Sequence, residues 1–200
     1  MSHQIQANTP ICGVILAGGQ GTRMALRDKG LVRLNDRSLI GHVIDRIQPQ
    51  VDRIVINCNR HLEIYQEFGF TLVTDAIQDF NGPLRGILSA RVPVGEDLCL
   101  VVPCDMPYLP LDLVQRLKQD LQHYEAAYVV AKGQVQPLVL LLKPRIIARI
   151  EPYLGAGGRS VKGWLKTLNA VAVSFDASTD GFDNINNFEQ LATAAALMVR

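Results

Sequence analysis

Residues 14–30 read VILAGGQGTRMALRDKG, an apolar run that stops at Gly18, Gly19 and Gly21 and is followed by Arg23, Arg27 and Lys29. Glycine adopts positive φ without penalty and lets main-chain N–H groups approach a ligand closely, so glycines at a strand end can cradle an anion. Cations just beyond such a cradle neutralise what sits in it, and a triphosphate is the ligand that pattern suits. A glycine turn beside ordinary surface charges is the plain alternative. Two familiar phosphate loops do not fit. No spacing from Gly18, Gly19 or Gly21 yields GxxxxGK[ST], and Met24 stands where a dinucleotide fingerprint needs its third glycine.

Asp105 is the second chemically loaded position. It follows LCLVVP (98–103), the most apolar strand candidate, where a carboxylate is costly unless a cation or donors compensate it. Mg²⁺ binds through one or two carboxylates plus phosphate oxygens, which suits Asp105; a turn aspartate before MPYLP is the alternative. Cys104 beside it reads as a packing residue, because no histidine partner is visible. Asn57 closes one strand candidate and Asp75 follows the next, so both reach the same edge as the glycine turn, although both types also favour turns.

The elements that must position these groups alternate. CGVILA (12–17), RIVIN (53–57), TLVT (71–74) and LCLVVP (98–103) read as strands. Helices are expected from Ser38, an N-cap for SLIGHVIDRIQPQ, and at LEIYQEF (62–68), LRGILSARV (84–92) and LDLVQRLKQDLQHY (111–124). This order predicts an α/β protein with a mostly parallel sheet covered on both faces. After residue 125 the rhythm changes. AAYVVAK and VQPLVLLL flank a Gly133 turn and predict an antiparallel excursion in the C-terminal third. A helix near 144–154, the strand AVAVSF and a last helix from about Asn187, capped by Asn187 with Gln190, complete one domain over 11–200 behind a flexible tail at 1–10.

Composition narrows the function classes. The 200 residues are 48% hydrophobic with a formal net charge of +1, so no global field points to nucleic acid. MSHQIQANTP holds no apolar signal region and no run of eighteen apolar residues exists, so a cytoplasmic protein without membrane segments is expected. Cys12, Cys58, Cys99 and Cys104 form no C-x-x-C pair and read as buried reduced thiols rather than a structural metal site. No exposed heptad or long apolar face demands a partner, which makes a monomer the default.

LAGGQGTRM…DKGL, with Asn35 and SLIGHVID, resembles the opening signature of nucleotidyltransferases that bind NTP on a Rossmann-like sheet. Ala25 stands where that signature usually has glycine. INCNRH (56–61), TDAIQDFNGPLRGI (74–87), VPCDMPYLP (102–110) and DNINNFEQL (183–191) resemble one branch, the molybdenum cofactor guanylyltransferases of the MobA family. The likeness runs from Cys12 almost to the C-terminus. It implies a Rossmann-like three-layer α/β/α nucleotidyltransferase fold, and transfer of GMP from GTP to the phosphate of molybdopterin with release of pyrophosphate and Mg²⁺ as cofactor.

Residue by residue, the resemblance implies that the backbone at Leu16, Ala17, Gly18 and Gly19 holds the nucleotide. Arg23 and Lys29 would stabilise the triphosphate and leaving group, and Asp105 would hold Mg²⁺. Asn57 and Asp75 fall on the base or ribose side, with Gly82 and Gly86 around a helix start against the base. Asn184 and Asn186 fall on the molybdopterin side, with capping of the last helix as the rival role. Arg159 and Lys162 are placed to meet the pterin phosphate, although Ser160 follows Arg159 where the family loop is richer in arginine. Handover contacts with molybdenum insertion proteins and molybdoenzyme apoproteins follow from the family role. Three other readings stay open: a sister enzyme using CTP, a sugar-phosphate nucleotidyltransferase, and a non-catalytic carrier of nucleotide or cofactor.

Overall fold

The computed structural model describes residues 8–19, 28–76, 82–175 and 180–197. Strand β1 (Ile11–Leu16) comes first, then a small antiparallel pair, β2 (Arg33–Leu34) with β3 (Arg37–Ser38). Helix α1 (Leu39–Ile47), β4 (Arg53–Asn57), α2 (Leu62–Gln66) and β5 (Thr71–Val73) follow. Next come α3 (Pro83–Ser89), α4 (Arg91–Val94), β6 (Leu98–Pro103) and α5 (Leu113–Leu121). The C-terminal third holds β7 (Ala126–Ala131), β8 (Gln134–Leu142), α6 (Ile150–Gly155), α7 (Val161–Leu165), β9 (Ala170–Phe175) and α8 (Phe188–Leu197).

The large sheet runs in the order β5-β4-β1-β6-β8-β7-β9. All its strands point one way except β8, which inserts antiparallel between β6 and β7. Lys132 and Gly133, both at positive φ (51° and 70°), make the two-residue turn that reverses β7 into β8. Consecutive positive φ values give the turn a twist that matches its flanking strands. The antiparallel excursion expected from the sequence is this hairpin.

Alternation along the buried strands divides the core. Ile11 and Ile15 of β1, with Leu98, Leu100 and Val102 of β6, pack under α1 and α5. Cys12, Val14 and Leu16, with Cys99 and Val101, pack on the other face under α3, α6 and α7 around Trp164. Both faces of the central strands are covered, so these strands read as continuous apolar runs. A third cluster of Val32, Leu34, Leu39, Ile185 and Ala194 ties α8 to the β2–β3 pair.

Ser38 caps α1 as expected, its Oγ accepting from the Gly41 N–H at 3.3 Å. The single helix expected over 84–92 is instead two, α3 and α4. Pro93 explains the break: it has no N–H to give, and its ring excludes the carbonyl four residues back, at Ser89. The helix expected near 144–154 opens as a 3₁₀ segment, Pro144–Arg149, before α6. Helix α7 was not anticipated in the glycine-rich loop; Ser160 caps it, accepting from the Gly163 N–H at 3.0 Å. All four cysteines are free and buried, and burial pushes the Cys12 and Cys58 thiols up to about 11. Among the described residues no helix is long and apolar enough to cross a membrane.

Candidate active site

Ligands of open α/β sheets bind outside the carboxyl ends of the strands, where successive connections leave in opposite directions. Here that point lies between β1 and β6, since the chain runs from β1 to β4 on one side while β6 lies on the other. Leu16 is in register with Asn57 and with Pro103, and Asn57 with Val73, so four strands end together. The Ala17 N–H donates to the Asn57 carbonyl at 2.8 Å and the Cys104 N–H to the Leu16 carbonyl at 3.1 Å. Those bonds hold the strand end open as the chain departs at Gly18. A Cβ at Gly18 would lie 2.9 Å from Asn59 Nδ2 and 3.0 Å from Asn57 Oδ1, whereas one at Gly19 would meet nothing within 4 Å. The first glycine is therefore a close-approach position and the second borders open space. The Arg60 guanidinium donates to the Gly19 carbonyl at 2.9 Å.

Across from this turn, Lys29 and Asp105, 76 positions apart, form an ion pair between Nζ and Oδ2. Lys29 Nζ also donates to Asn186 Oδ1 at 2.6 Å, and Asn184 Nδ2 donates to Asp105 Oδ2 at 3.2 Å. The Ile185 N–H donates to the Asp105 carbonyl at 3.0 Å, fixing the DNINN segment beside the end of β6. Asp105 is only 5% exposed, and its Oδ1 has no hydrogen-bond partner among the described residues. Leaving a charged buried oxygen unmatched costs a few kcal/mol, about 1–3 or more, so this orphan marks where a cation or donor belongs. One bare carboxylate oxygen with asparagine amides beside it suits a hard divalent cation that takes its other ligands from phosphate and water. No group of three or more His, Cys, Asp or Glu side chains among the described residues could hold a metal by itself.

A second network fills the edge beyond β4 and β5. Asn57, 2% exposed, donates from Nδ2 to Asp75 Oδ1 at 2.9 Å. Asn59 grips Asp75 twice: its Nδ2 donates to Oδ2 and its Oδ1 accepts the Asp75 N–H, both at 2.8 Å. Ser89 Oγ donates more weakly to Asp75 Oδ1 at 3.4 Å. Helix α3 lies directly on this network, because a Cβ at Gly86 would stand 2.3 Å from Asn57 Oδ1 and 2.9 Å from a methyl of Leu16. Gly82 enters the helix at φ 72°, a conformation glycine supplies without strain, and Pro83 takes the first helical position.

The structure thus gathers Lys29, Asp105, Asn184 and Asn186 into one hydrogen-bonded group, and Asn57, Asp75 and Gly86 into another. Arg159 joins neither: its guanidinium donates to the carbonyls of Leu154 (2.9 Å) and Gly158 (2.7 Å). Its own carbonyl lies 3.9 Å from where a Gly82 Cβ would stand. Arg23 and Ala25 lie outside the described residues. Asn59 was missed in the sequence: it lies in the bend just past the end of β4, and only the fold brings its amide onto Asp75. Burial and the adjacent Asp105 charge push the Cys104 thiol well above the ordinary range, which disfavours the thiolate that a nucleophile needs. A cleft of about 830 Å³ runs from Asn184 and Asn186 along α8, lined also by Tyr108, Phe182, Gln190 and Thr193.

Residues 13–171 match the family description MobA-like NTP transferase domain. The chain is 43% identical over 192 residues to the molybdenum cofactor guanylyltransferase of Shewanella loihica, with 95% of each chain covered. It is 45% identical to the protein of the same name from Shewanella baltica, again over 95% of each. Molybdopterin-guanine dinucleotide biosynthesis protein A from Archaeoglobus fulgidus superimposes with a TM-score of 0.76 at 21% identity, over 94% of this chain and 98% of that one. A nucleotidyl transferase from Methanothermobacter gives 0.77 at 18% identity, over 97% and 99%. These two structures share the fold.

Proposed function

The chain belongs to the molybdenum cofactor guanylyltransferases within the MobA-like NTP transferase family, and from that membership we propose that it transfers GMP from GTP to the terminal phosphate of molybdopterin, forming the guanine dinucleotide cofactor and releasing pyrophosphate. The observation that supports this reading best is the Lys29–Asp105 pair with its bare Asp105 Oδ1, one residue past Cys104, whose N–H bonds the Leu16 carbonyl at the start of the glycine turn.

The attacking group is already an anion, so the reaction needs positioning and charge neutralisation rather than a strong base or a covalent protein intermediate. The backbone from Leu16 to Gly19 seats the triphosphate. Lys29, with Arg23, neutralises the charge that builds on the departing pyrophosphate. Asp105, through its bare Oδ1, would hold Mg²⁺, which would supply charge neutralisation at the phosphates. Asn57 and Asp75 orient the base or ribose, with Gly82 and Gly86 letting α3 lie close to them. Asn184, Asn186 and the cleft along α8 receive the pterin substrate; Arg159 would meet its phosphate only by releasing the Leu154 and Gly158 carbonyls that now take its guanidinium. The enzyme works in the cytoplasm, where its product passes to molybdoenzyme apoproteins.

The test is a pyrophosphate-release assay with GTP, Mg²⁺ and molybdopterin, leaving out each in turn and then exchanging GTP for CTP, ATP or UTP. Release is expected only with the complete mixture and with GTP. Equal release from CTP would point to the sister reaction, and tight GTP binding with no release would point to a carrier.

A further inference from the structure

The short turn that carries Lys29 is fixed from behind by groups that the reaction itself does not use. Asp28 caps the 3₁₀ turn Lys29–Leu31, its Oδ1 accepting the Gly30 N–H at 3.2 Å. The same oxygen accepts the hydroxyl of Tyr65, from α2, at 2.6 Å. Asp28 is buried and Tyr65 fully so, which makes this a bond that water does not contest. Gly30 sits between two walls. A Cβ there would lie 2.5 Å from the Tyr65 oxygen and 3.5 Å from Cβ and Sγ of Cys104, the residue before Asp105. A bare residue 30 therefore lets the turn slot between α2 and the end of β6, indexing Lys29 against Asp105. Burial above all, helped by Cys104 and Asp28, holds the Tyr65 hydroxyl protonated far above the ordinary range, so it remains a donor at any working pH.

We propose that Tyr65, acting through Asp28, is a positioning residue that sets Lys29 on Asp105. A lysine side chain is long and has many rotamers to lose when fixed, so its aim depends on how firmly its own turn is held. Misplacing a charge-neutralising group by about 1 Å can cost a hundredfold in rate. This role rests on reading Lys29 as the cation that meets the triphosphate.

The experiment compares wild type, Tyr65→Phe, Asp28→Ala and the double variant in two ways. The first needs no ligand: acetylation of Lys29 by N-hydroxysuccinimidyl acetate is followed by peptide mass and divided by the rate at exposed Lys166. Each single variant should raise that ratio at least about threefold, and the double should add little, because the two residues form one brace. The second is steady-state kinetics, where kcat should fall about tenfold or more while KM for GTP stays within about threefold. A residue that only fills the core would leave the Lys29 ratio and kcat untouched below the melting transition. If Tyr65→Phe does not fold, Asp28→Ala, which leaves the core side chain intact, carries the same expectations. A wild-type Lys29 ratio in folded Tyr65→Phe or Asp28→Ala overturns the brace. Should Lys29→Ala keep full turnover, the catalytic reading of Lys29 falls, and the acetylation ratio still decides the brace.

Discussion

Lys29→Ala is expected to lower kcat by about 10²–10³-fold, the cost of removing one preorganised charge contact from a transition state. Lys29 reaches Asp105 and Asn186 together, so its amine stands at the junction of the carboxylate proposed to hold Mg²⁺ and the cleft proposed for the pterin. Truncation removes the cation and leaves the Asp105 carboxylate with Asn184 as its remaining side-chain donor among the described residues. In a fully buried pair that would destabilise the fold by several kcal/mol, but the Lys29 side chain is 24% exposed. Solvent reduces the cost to about 1–2 kcal/mol, or a few degrees in Tm. The expected result is thus a cooperatively melting protein, slightly less stable and nearly inactive at saturating GTP and Mg²⁺. Steady-state kinetics with a parallel melting curve measures both.

Asp105→Asn should be as damaging to activity and nearly neutral in its effect on stability. The substitution keeps size and shape but removes the charge that Oδ1 offers a cation. The Mg²⁺ concentration for half-maximal rate should rise at least about tenfold, with kcat down about 10²-fold or more. In metal-free buffer the variant should melt close to the wild-type temperature, because losing the ion pair to a Lys29 that solvent still reaches is offset by removing a buried charge with one orphaned oxygen. Stability retained together with lost turnover identifies a carboxylate kept for function rather than for the fold. Lower stability with an unchanged Mg²⁺ requirement would mark Asp105 as structural.

Much of the scaffold was legible because central strands are buried on both faces. RIVIN and LCLVVP coincide with β4 and β6 to the residue, since each is an apolar run bounded by polar or turn-forming residues. The caps were legible too. Gln190 donates its N–H to Asn187 Oδ1 at 2.8 Å as expected, although its side chain reaches back to the Asn186 N–H at 2.6 Å rather than to Asn187. The two-residue strands β2 and β3 were not legible, being too short to show a period, and Pro93 divided a helix that apolar spacing alone kept whole.

In the site, chemistry-bearing types announced themselves. Lys29 and Asp105 stood out for what lysine and aspartate can do beside a phosphate cradle. Their direct pairing with Asn186 and Asn184 was not readable, because it depends on Ile185 docking against the end of β6. Tyr65 in LEIYQ looked like any core aromatic, and only the fold brings its hydroxyl to Asp28. Gly86 was expected near the base; its tightest neighbours are Asn57 and Leu16, which sequence spacing cannot show.

The central claim is that the α-phosphorus of GTP is attacked while its triphosphate lies on the glycine turn beside the Lys29–Asp105 pair. Incubation of the enzyme with molybdopterin, Mg²⁺ and GTP radiolabelled at either the α or the γ phosphate tests it most directly. Label from the α position should appear in the pterin dinucleotide and label from the γ position in pyrophosphate, with both transfers lost in Lys29→Ala. Label from the γ position in inorganic phosphate, with none from the α position in the pterin product, would contradict it.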